Sequence, residues 1–207
     1  MLRYALFDLD ETLYPTTNGL MQTIGERMRL YIMQRYGLPA EEAYALQKQY
    51  WREYGTTLRG LYIERHIDPE EYLRFVHDVS VRDFVTPDPK LRAVLEGIPL
   101  RKAIVTNADA PHARRVLKVL GLADLFAQIF DIVSFGYVCK PATEVYEYVL
   151  KQLGARGDEC VLVEDMARNL PTARALGIRT ILLGAAGESD EHIQSIYEVA
   201  DAIARLG

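Results

Sequence analysis

Asp8 and Asp10 stand two positions apart, directly after the apolar run Tyr4-Ala5-Leu6-Phe7. Two carboxylates at a strand end converge on one point if the chain turns there, although the same pattern also marks an exposed acidic turn. Thr106 and Asn107 follow a second apolar run, Ala103-Ile104-Val105, and offer a hydroxyl and an amide to a phosphoryl oxygen; alone, they read as a strand-to-helix turn. Lys140 precedes Pro141 at a helix start, where a lone lysine is ordinarily a solvated charge. Glu164 and Asp165 form a carboxylate pair after Val161-Leu162-Val163. Together these clusters say more than each does alone. Four carboxylates in one pocket repel strongly unless cations join them. Lys140 and a divalent metal resolve that repulsion, and an all-oxygen ligand set with room for water favours magnesium over zinc. So neutralised, a carboxylate and a phosphate dianion can approach each other, which is the electrostatic problem of phosphoryl transfer.

The elements that must position these residues follow a regular rhythm. Short apolar runs at 4–7, 103–105, 129–133, 161–163 and 180–183 suit strands buried on both faces of a parallel sheet. Helical spacing appears over 110–120, 142–153 and 167–176, closed by Gly121, Gly154 and Gly177. Alternation of this kind implies an α/β, doubly wound, Rossmann-like parallel sheet, with ligands at the carboxyl ends of its strands. The stretch from Pro15 to about Phe84 breaks the rhythm and is helical throughout. Residues 20–36, 40–54 and 56–66 read as helices, and Asp68-Pro69-Glu70-Glu71 as a helix start. The expected organisation is a core of residues 1–15 and 85–207 with an all-helical cap inserted at 16–84.

Composition narrows the partners. The 207 residues carry a formal net charge of -5 without a basic run, which speaks against a nucleic-acid polymer. No apolar run reaches membrane-spanning length, and the start reads as fold rather than as a leader. Two cysteines, Cys139 and Cys160, are too few for a disulfide framework and fit a reducing cytoplasm. Cys139 neighbours Lys140, so a reactive thiol and a small buried hydrophobe are both open readings. His66 and His77 have no ligand-like neighbours and read as structural, while His112 and His192 give no signal.

In its order of motifs, Asp-x-Asp, Thr, Lys and acid pair, the chain resembles the haloacid dehalogenase-like hydrolase superfamily, in the branch with a helical cap after the first motif. The resemblance covers essentially the whole chain. It implies Asp8 as nucleophile and Asp10 as the group that protonates the leaving oxygen and later activates water. It implies Thr106 and Lys140 as phosphate holders, with Asn107 as a helper. Magnesium would be bound by Asp8, the Asp10 carbonyl and Asp165, with Glu164 near. The backbone N–H groups of Leu9 and Asp10 would face the phosphate. Many relatives carry aspartate at the position of Glu164, which leaves open direct or water-mediated ligation. Dehalogenases of the superfamily lack a carboxylic acid at the position of Asp10, because a halide leaves without a proton; Asp10 therefore argues for a phosphatase.

A finer resemblance lies in the cap. Tyr54-Gly55-Thr56-Thr57-Leu58-Arg59-Gly60-Leu61, Tyr72-Leu73-Arg74-Phe75-Val76-His77-Asp78 and Pro87-Asp88-Pro89 resemble pyrimidine 5′-nucleotidases of this superfamily, as do Asp10-Glu11-Thr12-Leu13-Tyr14-Pro15 and Thr106-Asn107-Ala108. The implied reaction is hydrolysis of a pyrimidine nucleoside 5′-monophosphate. Eight of the thirteen tyrosines fall from Tyr14 to Tyr72, and aromatic rings there suit either base stacking or helix packing. Arg59 is the candidate contact to the substrate. The alternatives are a phosphatase of another small metabolite (a sugar phosphate, phosphoglycolate or a pyridoxal-type phosphate) and a binding module that kept the fold without the chemistry.

Overall fold

A computed structural model describes residues 1–184 and 186–207. Its sheet holds strands β1 (Tyr4–Phe7), β2 (Arg101–Val105), β3 (Phe126–Phe130), β4 (Cys160–Glu164), β5 (Arg179–Leu183) and β6 (Glu191–Ile193). They run parallel in the order β3-β2-β1-β4-β5-β6. β1 and β4 are buried at every residue, which is why β1, and β4 up to Glu164, read as apolar runs without alternation. Phe7 pairs with Ile104 on one side and Val163 on the other, so the three strands end nearly level.

The chain divides into two compact units, Met1–Pro15 with Val85–Gly207, and Thr16–Phe84. The second unit holds α1 (Leu20–Tyr36), α2 (Ala40–Tyr54), α3 (Thr57–Arg65) and α4 (Pro69–Val76). Thr56 caps α3 by accepting the Arg59 N–H, and Asp68 caps α4 by accepting the Glu70 N–H. Leu20, Ile24, Tyr31 and Ile32 form the buried face of α1. The Tyr31 ring packs edge-on against Tyr72 at 5.0 Å and against Phe75 at 5.5 Å. Packing thus accounts for these tyrosines. Gly60 lets α3 lie close on α2, since a Cβ there would collide with the Tyr50 ring.

The first unit adds α5 (Pro89–Glu96), α6 (Ala110–Leu120), α7 (Thr143–Leu153), α8 (Leu170–Ala175) and α9 (Val199–Leu206). Val145, Tyr146 and Val149 of α7 join Leu170 and Ala173 of α8 on one face of the sheet, over Leu6, Val105 and Leu162. The expected strand at 129–133 lies earlier, at Phe126–Phe130. Asp131 ends it: its carboxylate accepts the N–H groups of Ser134 at 2.9 Å and Ala110 at 2.8 Å, which turns Ile132 and Val133 out of the ladder. The helix expected over 167–176 is a 3-10 turn, Ala167–Asn169, followed by α8. Among the described residues no helix is long and apolar enough to cross a membrane.

Candidate active site

Asp8 is the first residue beyond β1, and its N–H still donates to the Val163 carbonyl of β4 at 2.9 Å. Glu164 ends β4 and Asp165 follows it. Adjacency of β1 and β4 therefore brings three carboxylates to one end of the sheet. Their ligand atoms lie within 4.8 Å of one another. Lys140 reaches in from the loop before α7, with Nζ 2.9 Å from Asp8 Oδ1 and 2.7 Å from Glu164 Oε2. The other Glu164 oxygen, Oε1, accepts the Met166 N–H at 3.2 Å. Thr12 donates its hydroxyl to Asp165 Oδ1 at 3.1 Å.

Electrostatics follow from that crowding. Burial, with Glu164 beside it, pushes the Asp8 carboxyl up to about 7 despite the pull of Lys140. Burial, then the Asp8 charge, pushes Asp165 up to about 6. Burial would lower the Lys140 ammonium, but Asp8 and Glu164 outweigh it and hold the lysine above its ordinary value. One ammonium opposes three carboxylates here. An all-oxygen, net-negative donor set of this size fits a hard divalent cation such as magnesium.

The chain reverses after Asp8. Glu11 takes a left-handed φ of 62°, rare outside glycine and asparagine, and the Leu13 N–H closes the turn onto the Leu9 carbonyl at 3.0 Å. Leu9 buries its side chain completely, so any contact it makes to a ligand goes through its backbone. The turn returns Asp10 beside Tyr14, whose hydroxyl donates to Asp10 Oδ1 at 2.5 Å. His112 Nε2, in the first turn of α6, lies 2.9 Å from the same oxygen. Burial, then the Asp10 charge, holds the Tyr14 phenol above its ordinary value, so it stays a hydroxyl donor.

Thr106 follows β2 on the side of β1 away from β4 and is buried; its hydroxyl oxygen accepts the Ala108 N–H at 3.0 Å. Asn107 follows Thr106 on the same loop. Both ends of its amide engage the Lys140 backbone, so its hydrogen bonds hold the lysine's loop. Arg59 belongs to the helical unit. It lies in the first turn of α3, half-buried, with Nη1 lacking a hydrogen-bond partner among the described residues. Cys139 and Cys160 are both buried.

A family model for haloacid dehalogenase-like hydrolases matches residues 2–177. The chain belongs to that family. Its identity to individual named proteins is modest. The chain is 28% identical over 191 residues to phosphate metabolism protein 8 of Saccharomyces cerevisiae, covering 85% of this chain and 60% of the yeast protein. It is 25% identical over 228 residues to the glyceraldehyde 3-phosphate phosphatase of Methanocaldococcus jannaschii, covering 100% of this hydrolase and 99% of that one. Among solved structures, the L-2-haloacid dehalogenase of Xanthobacter autotrophicus superposes with a TM-score of 0.67 at 16% identity, over 100% of both chains. At that identity the likeness speaks for the fold alone.

Thr12, Tyr14 and His112 touch side chains of this hydrolase's site, yet the sequence assigned none of them a role there: Thr12 and Tyr14 appeared only as members of a motif, and His112 on its own gave no signal. Tyr14 sits four positions after Asp10, the separation of neighbours on one turn. His112 carries a subtler signal. It falls in the first turn of the helix that follows Thr106, and such turns face the carboxyl ends of the strands.

Proposed function

We propose that this hydrolase cleaves phosphate monoesters through a phosphoaspartate on Asp8. The observation that carries the reading is the Asp8–Lys140–Glu164 arrangement, in which one buried ammonium touches the candidate nucleophile and a neighbouring acid. Asp8 attacks phosphorus while the bond to the leaving oxygen breaks. Asp10 gives that oxygen its proton. Asp10, now a carboxylate, takes a proton from water; the water oxygen attacks phosphorus, the bond to Asp8 breaks, and inorganic phosphate departs. Lys140 and Thr106 hold the phosphoryl oxygens. Asn107 keeps the Lys140 loop in place, and the Leu9 and Asp10 N–H groups face the phosphate. Magnesium would be held by Asp8, Asp165 and the Asp10 carbonyl, and would neutralise charge between nucleophile and substrate. Glu164, whose two oxygens accept hydrogen bonds from Lys140 and from the Met166 N–H, would hold Lys140 beside the cation.

Asp10 separates this reading from dehalogenation, since an alkoxide needs a proton on departure and a halide does not. The substrate class is a small phosphorylated metabolite, and the helical unit acts as the cap that selects it. The motifs around Arg59 favour a pyrimidine nucleoside 5′-monophosphate. A second reading, a triose or other sugar phosphate, is favoured by the full-length match to a glyceraldehyde 3-phosphate phosphatase. The deciding experiment is phosphate release from a panel holding UMP, CMP, AMP, GMP and glyceraldehyde 3-phosphate, with magnesium and with chelator. Absence of turnover on every ester in magnesium sinks the phosphatase reading. A sugar phosphate preferred by tenfold or more sinks the nucleotidase alone, tenfold being about 1.4 kcal/mol of transition-state binding.

A further inference from the structure

Asp10 stands on a turn, where an aspartate side chain has several rotamers to choose from. A proton donor must present one oxygen in one direction. Groups from separate elements meet on Oδ1 of this carboxylate: the Tyr14 hydroxyl donates at 2.5 Å, and His112 Nε2 lies at 2.9 Å, where the Nε2–H tautomer donates. Neither donor is a loose surface group, since His112 is fully buried and Tyr14 nearly so.

The seat of His112 is itself built. Asp109 caps α6 and accepts the His112 N–H at 2.8 Å, while Asp131 accepts the Ala110 N–H at 2.8 Å. Two acids from two loops thus anchor the first turn of α6. Tyr14 is tied to Asp10 through the turn that Glu11 and Leu13 close. Preorganised donors of this kind need no rearrangement as a reaction proceeds.

From this convergence we infer that Tyr14 and His112 are positioning residues for Asp10, clamping its Oδ1 and so fixing the direction in which the carboxyl carries its proton to and from the reacting oxygens. The inference rests on the phosphatase reading above. Two hydrogen bonds to one oxygen fix the plane of the carboxyl and the direction its other edge faces. Neither residue touches the phosphorus centre in this scheme. A packing role for the pair makes a different prediction, because loss of packing harms every substrate alike.

The test uses the full chain with magnesium and two esters of one shape, phenyl phosphate and p-nitrophenyl phosphate. Nitrophenolate departs readily without a proton; phenolate gains from one. The variants are Tyr14→Phe, His112→Leu and His112→Gln, the last keeping an N–H donor at a similar reach. Because kcat/KM reports steps up to release of the phenol, Tyr14→Phe should lose about tenfold more kcat/KM on phenyl phosphate than on p-nitrophenyl phosphate. On p-nitrophenyl phosphate, kcat and KM should fall together, since water attack on the phosphoaspartate also needs a well-aimed Asp10. His112→Leu should behave likewise, and His112→Gln should recover most of the loss. Equal losses of kcat/KM on both esters, or no loss on either, overturn the clamp. If His112→Leu does not fold, Tyr14→Phe decides, its melting temperature showing that the fold is intact. A wild-type enzyme inert to both esters overturns the phosphatase reading itself, whereas an active wild type with an unaffected Tyr14→Phe overturns the clamp alone.

Discussion

Asn107 brackets the backbone of Lys140: its Oδ1 accepts the lysine N–H at 2.8 Å and its Nδ2 donates to the lysine carbonyl at 3.3 Å. A residue on the loop after β2 thereby fixes the height at which the ammonium enters the carboxylate cluster. Asn107→Ala removes both bonds and leaves a backbone pair to find new partners. The expected cost is about 1–3 kcal/mol of stability. Steady-state kinetics should show KM for the phosphate ester rising and kcat falling. Unchanged kinetics in a folded variant would mean that Lys140 is held by its ion pairs alone.

The nucleophile assignment has a covalent readout. Brief incubation with a phosphate-labelled substrate followed by acid quench should trap an acyl phosphate on the wild type and none on Asp8→Asn. Asp10→Asn should still form it and should accumulate it with an activated leaving group, while overall turnover falls about 10²–10⁴-fold. Label on Asp8→Asn at the wild-type level moves the nucleophile elsewhere.

Proton linkage gives a test that needs no substrate. The Asp8 carboxyl lies at about 7 against an ordinary 3.8, and Asp165 at about 6. A raised carboxyl favours its neutral form in the folded state. Its contribution to stability is therefore fully present below about 4 and is lost as pH rises through 6 and 7. In chelator, Asp8→Asn should melt above the wild type at pH 8, and the gap should narrow as pH falls towards 4. Saturating magnesium should reverse the order at pH 8, because it stabilises the state that binds it. A metal-free gap that widens towards acid would contradict the raised Asp8.

Discrimination among esters is expected to come from the helical unit, because the residues around Asp8 grip only what all phosphate esters share. Arg59→Ala should lower kcat/KM for UMP and CMP by at least tenfold more than for p-nitrophenyl phosphate, on the scale where a lost bond to a polar substrate group outweighs lost apolar contact. Equal losses would make Arg59 a structural residue of α3.

Gly60 supplies a test confined to packing. A Cβ there meets the Tyr50 ring, so Gly60→Ala must push α3 off α2 or turn the tyrosine. The expected destabilisation is about 1–3 kcal/mol, measured by denaturant titration. A variant as stable as the wild type would show that the α2–α3 contact yields without cost.

Much of this architecture was legible one residue at a time. Buried strand segments announce themselves as apolar runs, so β1, β2, β4 and β5, and the acids at the ends of β1 and β4, stand out in the chain. Helix ends were marked locally too, by Gly121 and Gly154, which take the left-handed φ that closes α6 and α7. The end of β3 was not legible, because it is set by where the Asp131 side chain finds N–H partners rather than by apolar character. β6 has three residues, too few for a period to show. The site divides along the same line. Residue type and strand-end position pointed to Asp8 and the acid pair, and Lys140 stood out in the loop before a helix. That Asn107 binds Lys140, and that Tyr14 and His112 meet on one oxygen of Asp10, depends on contacts between residues as many as 102 positions apart. Only the pairing of β1 between β2 and β4, and the seating of α6 beside them, brings such side chains within hydrogen-bonding distance, and no local pattern encodes a distance across the sheet.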